Sequence, residues 1–212
     1  MDHEFWLKKW EGNDIGFHEH KANPALVDNF RELSLEKGAR IFLPLCGKTL
    51  DIAWLLSKGY HVSGVELSTV AIKQLFAELD VEPQFADLDR IKHYNAENID
   101  IYGGDIFDLS AEILGPVDAI YDRAALVALP EKMRRRYAAH LMEITRKAPQ
   151  LLITFVYDQT LLPGPPFSVT DEEVSNHYSD YYQLKLLETK DVPGGLKGQC
   201  PAREQVWLLN NS

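Results

Sequence analysis

Residues 39–66 read ARIFLPLCGKTLDIAWLLSKGYHVSGVE, and this stretch decides the fold. It opens on Ile41-Phe42-Leu43-Pro44-Leu45, a short and nearly unbroken apolar run of the kind that fills a strand buried on both faces. Cys46-Gly47-Lys48 then reads as a turn, after which Leu50, Ala53, Trp54 and Leu55 recur at helical spacing up to Gly59. His61 to Val65 is a second buried strand, closed by the acid Glu66. Two such strands separated by a helix run parallel and are joined by a right-handed crossover.

The alternation continues outward. Ser68 caps a helix predicted from Thr69 to Leu79, a cap worth about 1 kcal/mol. Val81 to Asn98 is polar and irregular, a hairpin or an insertion. Ile99–Gly103, Val117–Tyr121 and Leu151–Tyr157 are three more predicted strands, with a helix over Glu131–Lys147 between the last two. Beyond the Pro-rich segment Leu162 to Phe167, Thr170 followed by Glu173 forms a capping box. Gln183–Thr189 and Glu204–Leu209 have no helix between them and are expected to pair antiparallel. On the N-terminal side, Trp6 and Trp10 share one face of a short helix, and Asn23-Pro24 opens a second whose Leu26, Phe30 and Leu33 lie at helical spacing before Gly38. The expectation is one α/β domain spanning residues 1–212, with residues 1–38 as a helical arm.

Composition narrows the function. With 212 residues, 45% of them hydrophobic, the chain can bury one sizeable core, roughly 70% of its unfolded surface. Its net charge of −10 repels nucleic-acid phosphates and anionic membrane surfaces, so neither is an expected partner. There is no apolar run near the roughly 18 residues of a membrane span, and MDHEFWLKKW lacks the features of a secretory signal; the expected address is the cytoplasm and the expected state a monomer. Cys46 and Cys200 are too few for a disulfide scaffold and lack zinc-site spacing.

An open parallel sheet binds its ligand beyond the carboxyl ends of its strands. The first such end, Leu45-Cys46-Gly47-Lys48-Thr49, is not a phosphate loop, which would need Gly where Phe42 stands. A dinucleotide fingerprint is also missing, because one glycine stands where three are required. What remains is a tight turn at Gly47 that lets a ligand approach the backbone, and Glu66, about 20 residues on, where a carboxylate accepts hydrogen bonds from ribose hydroxyls or is simply solvated. Asp105-Ile106 follows the third strand and Arg123 the fourth; Arg123 suits a ligand carboxylate, or else pairs with Asp122. A nucleoside that carries a carboxylate and no phosphate describes S-adenosylmethionine, which points to a methyltransferase. Two rivals stay open: a nicotinamide-dependent oxidoreductase, disfavoured by the missing glycines, and a non-catalytic cofactor-binding protein on the same fold.

Other features have plainer readings. Trp6 and Trp10 suit a core as well as a cofactor; His18-Glu19-His20 lacks the spacing of a metal site, so no metal is expected; Cys46 reads as a packed thiol; Lys132 to Arg136 reads as a solvated basic face.

Six ordered blocks also carry a resemblance. They are the arm from Trp10 to Phe17-His18, Leu43 to Lys48, Gly64 to Ser68, Asp105 to Asp108, Asp122 to Ala128, and Gly164 to Phe167. Along essentially its whole length the chain resembles the thiopurine S-methyltransferase family, in particular its shorter bacterial members. The resemblance implies a class I methyltransferase: a Rossmann-like, mostly parallel seven-stranded sheet with helices on both faces and an antiparallel last strand, using S-adenosylmethionine. It implies that Trp10 packs on the methionine portion, Leu45 offers backbone groups to the amino group, Glu66 holds the ribose and Asp105-Ile106 meets the adenine. It places Arg123 by the methionine carboxylate and the acceptor, as the catalytic cation, with Phe17 and Pro165 lining the acceptor pocket. The implied acceptor is an aromatic or heterocyclic thiol, or a selenium or tellurium oxyanion. The stretch Val192 to Arg203 departs from the longer vertebrate members, so no substrate residue is carried over there.

Overall fold

A computed structural model describes residues 3–15 and 19–211 of the chain. In chain order these residues form α1 (His3–Glu11), α2 (Pro24–Asn29), β1 (Arg40–Leu43), α3 (Leu50–Ser57), β2 (His61–Glu66), α4 (Thr69–Glu78), β3 (Gln84–Leu88) and β4 (Ile91–Ala96). There follow β5 (Ile99–Gly103), α5 (Ala111–Leu114), β6 (Ala119–Asp122), α6 (Glu131–Ile144), β7 (Gln150–Tyr157), α7 (Asp171–Tyr178), β8 (Tyr182–Asp191) and β9 (Ala202–Asn211). One sheet holds all nine strands in the order β3-β4-β5-β2-β1-β6-β7-β9-β8.

The expected seven-stranded core is the run from β5 to β8. Pairings β1–β2, β1–β6, β2–β5 and β6–β7 are parallel, and β9 is inserted antiparallel between β7 and β8. The irregular stretch after α4 adds the other two strands as a hairpin, β3–β4, antiparallel to β5. Every residue of β3 is exposed, so no alternation of buried and exposed positions could announce it.

Side chains of β1 alternate between two cores. Phe42 joins Val65, Tyr137, Leu141 and Val174 on the α6–α7 face, while Ile41 and Leu43 join Leu26, Ile52, Leu55 and Ile72 on the face covered by α2, α3 and α4. A strand buried on both sides needs apolar residues at every position, which is why this run is continuous. Caps fix two of the helices on this face: the Ser68 hydroxyl accepts from the Ala71 N–H at 3.3 Å at the start of α4, and the Asn23 side chain accepts from the Ala25 N–H at 2.8 Å at the start of α2.

Several boundaries differ from the sequence reading. β1 stops at Leu43, because Pro44 has no N–H for the ladder and Leu45 turns into the left-handed region at φ 48°. α6 ends at Ile144, where the Thr145 hydroxyl bonds the Leu141 carbonyl and Arg146 and Lys147 take positive φ. Only half of the capping box forms: the Glu173 N–H donates to Thr170 Oγ1, but the Glu173 carboxylate goes to Arg134 and His177. The basic run of α6 is therefore not a uniform solvated face, since Arg134 is buried on Glu173 while Lys132 and Arg135 are exposed.

Candidate active site

The carboxyl ends of β1, β2, β6 and β7 open into a cavity of about 720 Å³. Its walls come from the turn after β1, the end of β2, the segment after β6, the Pro-rich loop and α1. Trp10, Leu45, Gly47, Glu66, Arg123 and Pro165, named from the sequence, all line it.

Glu66 is 6% exposed. Its Oε2 accepts from the Gly47 N–H at 2.8 Å and its Oε1 from the Ser68 N–H at 2.7 Å, so one side chain ties the end of β2 to the turn after β1. Burial pushes its pKa up to about 7, and hydrogen bonds from the Ser68, Gly47 and Leu67 backbone hold it from rising further. Each carboxylate oxygen has room for a second donor. Gly47 takes φ 55°, and a Cβ there would lie 2.9 Å from the Trp10 ring. Only glycine lets the α1 indole lie this close over the turn.

Cys46, between them, is packed as read. Its Sγ fills the space where a Cβ on Gly64 would sit, 2.7 Å away, and burial followed by the nearby Glu66 charge pushes the thiol pKa well up. A neutral, enclosed thiol is a poor nucleophile.

On the other wall Arg123 does not pair with Asp122. The Asp122 carboxylate is wholly buried, accepting from the Leu126 N–H at 3.0 Å and the Tyr137 hydroxyl at 2.8 Å. Arg123 points to the cavity and meets Glu19, NH2 to Oε1 at 2.6 Å. Asn23 Nδ2 reaches both Glu19 oxygens, at 3.2 and 3.3 Å, and its backbone N–H donates to Asp51 at 2.7 Å. Asp51 also accepts from the Tyr121 hydroxyl at 3.1 Å, and burial with the Asp51 charge next raises the tyrosine pKa well above its usual value. A polar chain thus runs from Arg123 through Glu19 and Asn23 to Asp51 and Tyr121.

Asp105 and Ile106 are placed differently from the other named residues and do not line the cavity. Asp105 accepts from the Phe107 N–H at 3.0 Å and pairs with His3 Nε2 at 2.8 Å, and Ile106 is buried in the α6–α7 core. Phe17 and His18 lie outside the described residues. Among the described residues no group of three or more His, Cys, Asp or Glu could hold a metal. No helix of these residues is long and apolar enough to cross a membrane.

Among the polar residues that line the cavity, Glu19, Asp51 and Lys197 were not picked out as site residues from the sequence. Glu19 was weighed only as part of a His-Glu-His triplet. Asp51 occupies the first turn of α3, where an acid is ordinary. Lys197, whose Nζ donates to the Pro165 carbonyl at 2.7 Å, sits in a Gly-rich loop without periodicity.

The sheet order, its antiparallel last insertion and an acid at the end of β2 beside a glycine turn define a class I, Rossmann-like methyltransferase fold. Solved structures share it: a SAM-dependent methyltransferase from Anabaena variabilis, at TM-score 0.67 and 16% identity over 99% of this chain and 95% of that one. A 1,6-didemethyltoxoflavin-N1-methyltransferase from Burkholderia thailandensis, solved with S-adenosylhomocysteine, gives TM-score 0.65 and 15% identity over 99% and 87%. The chain belongs to the thiopurine S-methyltransferase family, whose family model, Thiopurine S-methyltransferase (TPMT), matches residues 1–210. Curated relatives called thiopurine S-methyltransferase include those of Xanthobacter autotrophicus, 54% identical over all of both chains, and Teredinibacter turnerae, 53% identical over 100% of this chain and 99% of the other. The Gluconobacter oxydans relative is 50% identical over 97% and 94%. The protein is a methyltransferase, and S-adenosylmethionine is the cofactor of its class.

Proposed function

We propose that this chain moves the methyl group of S-adenosylmethionine to the sulfur of an aromatic or heterocyclic thiol of the thiopurine kind. The observation that carries this reading is that the buried carboxylate of Glu66 and the guanidinium of Arg123 line one cavity together with Trp6 and Trp10. The residues present fit the cofactor: a glycine turn whose backbone is open to the cavity, and a carboxylate with acceptor capacity to spare. When bound, S-adenosylmethionine would supply an electrophilic methyl group, which an acceptor sulfur attacks in line with departure of the S-adenosylhomocysteine sulfur.

Glu66 accepts the ribose hydroxyls, and the turn at Leu45 and Gly47 presents backbone groups to the methionine end. Asp105 and Ile106 follow β5, the strand next to β2, so although they do not line the cavity, a nucleoside held at Glu66 extends its adenine toward them, with His3 sharing the Asp105 carboxylate. Arg123 orients the acceptor anion beside the methionine carboxylate. Trp6, Trp10 and Pro165 form an apolar wall that keeps water from the sulfur and favours a flat ring. Of the expected arm over residues 1–38, α2 and the turn after it are built into the core beneath the sheet, so residues 3–15 act as the part that closes over the bound cofactor. A heterocyclic thiol is readily ionised, so positioning by a cation suffices and no strong base is needed. Arg123 with Lys197 also suits a selenite or tellurite oxyanion, which makes these a second acceptor class.

A methyl-transfer assay with thiopurines, aliphatic thiols, selenite and tellurite tests the reading. Thiopurine methylation well above that of aliphatic thiols is expected; no transfer to any thiol would sink it.

A further inference from the structure

Glu19 sits where an acceptor anion would have to go. Its Oε1 lies 2.6 Å from Arg123 NH2, and both side chains line the cavity. The carboxylate is anchored, because Asn23, buried at the start of α2, holds both of its oxygens and is itself held by Asp51. It is also releasable: the Glu19 side chain is 39% exposed against 15% for Arg123. A thiolate that approaches Arg123 therefore meets a cation whose charge is cancelled by a neighbouring anion, and the two anions compete for one guanidinium.

We propose that Glu19 is an internal counter-anion that yields Arg123 to the acceptor thiolate and takes it back once the sulfur is methylated. This rests on the thiol-acceptor reading above. In the transfer the thiolate sulfur forms a bond to the methyl carbon and the sulfonium carbon–sulfur bond breaks, so the negative charge on the acceptor and the positive charge on the donor disappear together. The product is a neutral thioether with nothing to offer a guanidinium, whereas Glu19 still carries its charge. Return of Glu19 to Arg123 then favours product departure, and before the reaction the same ion pair weakens binding of the anionic acceptor, which must displace it. Glu19 acts through Arg123 as a positioning residue.

The comparison that isolates this effect is between 6-mercaptopurine, held above the pH at which its thiol ionises, and its own S-methylated product. The two share a ring and differ in charge. Dissociation constants from quenching of tryptophan fluorescence are measured for wild type, Glu19→Gln and Glu19→Asp, with melting temperatures to establish that each variant is folded. In Glu19→Gln the ratio of the anion's Kd to the neutral product's Kd is expected to fall about tenfold, a change of about 1.4 kcal/mol in competition for Arg123, and Glu19→Asp should restore most of it. A ratio that stays put or rises in folded Glu19→Gln overturns the proposal, since Glu19 would then only hold Arg123 in place. If wild type methylates no thiol and binds neither compound, the acceptor reading fails instead, and the two failures are told apart by the wild-type assay alone.

Discussion

Trp10 of α1 lies over Gly47 in the turn after β1, so close that a single methyl group on the glycine would come within 2.9 Å of the indole. The arm and the cofactor turn are thus fitted to each other at one position. Gly47→Ala puts a Cβ into that contact and also into a backbone at φ 55°, which a side chain tolerates poorly. A loss of about 1–3 kcal/mol in stability is expected, together with displacement of Trp10. Thermal unfolding and near-ultraviolet circular dichroism check it; a variant with wild-type Tm and an unchanged indole signal would show that the turn adjusts freely.

Glu66 makes both folding and cofactor binding depend on pH. Its pKa rises from 4.5 to about 7 on burial, so between these values the native state holds the extra proton. Stability from this group is complete below the unfolded value and is lost as pH rises through about 7, a loss of roughly 3 kcal/mol once the carboxylate is charged. Glu66→Gln should flatten the fall in Tm between about pH 5 and pH 8. Ribose hydroxyls favour the charged form, so S-adenosylhomocysteine should bind more tightly as pH rises from about 6 to 8, releasing a proton at the lower end. Calorimetry in two buffers of different ionisation enthalpy reads that proton. Glu66→Ala is expected to cost about 1–3 kcal/mol of binding, and a folded variant with undiminished affinity removes Glu66 from the site.

The nine residues of α1 are too few to hold a helix alone, so the order of the arm derives from where it docks. His3 is paired with Asp105 at the end of β5, and Trp10 is buried against the turn. Closure over the cofactor should slow amide hydrogen exchange across residues 3–15 when S-adenosylhomocysteine is added. Equal exchange with and without it would leave the arm a static wall.

Arg123 offers a planar fork, whereas lysine offers a point charge. If the fork orients the anion, Arg123→Lys should lose activity nearly as fully as Arg123→Ala, by about 1.5–3 kcal/mol or roughly ten- to a hundredfold in kcat/KM. The loss should be larger with 6-mercaptopurine than with a neutral thiol. An equal loss for both acceptors would mean that Arg123 serves the cofactor carboxylate alone.

Much of this architecture was legible in one dimension. The strand–helix–strand unit from residue 39 to residue 66 is written in burial, because strands covered on both faces leave continuous apolar runs and crossover helices leave spaced ones. Ser68 and Asn23 declare their caps, and Glu66 is marked by its place at a strand end. These are local signals, carried by periods of two to four residues. What only tertiary structure decided is pairing across distance. The hairpin β3–β4 leaves all of its first strand exposed and so has no period to read. Asp122 turns inward to Tyr137, and Arg123 is left to find Glu19, 123 − 19 = 104 residues earlier in the chain. An ion pair has no periodicity, and a carboxylate in a loop looks the same whether it is solvated or set against a cation. Folding the arm back over the sheet brings that carboxylate to the guanidinium, and there the charge of the site is settled.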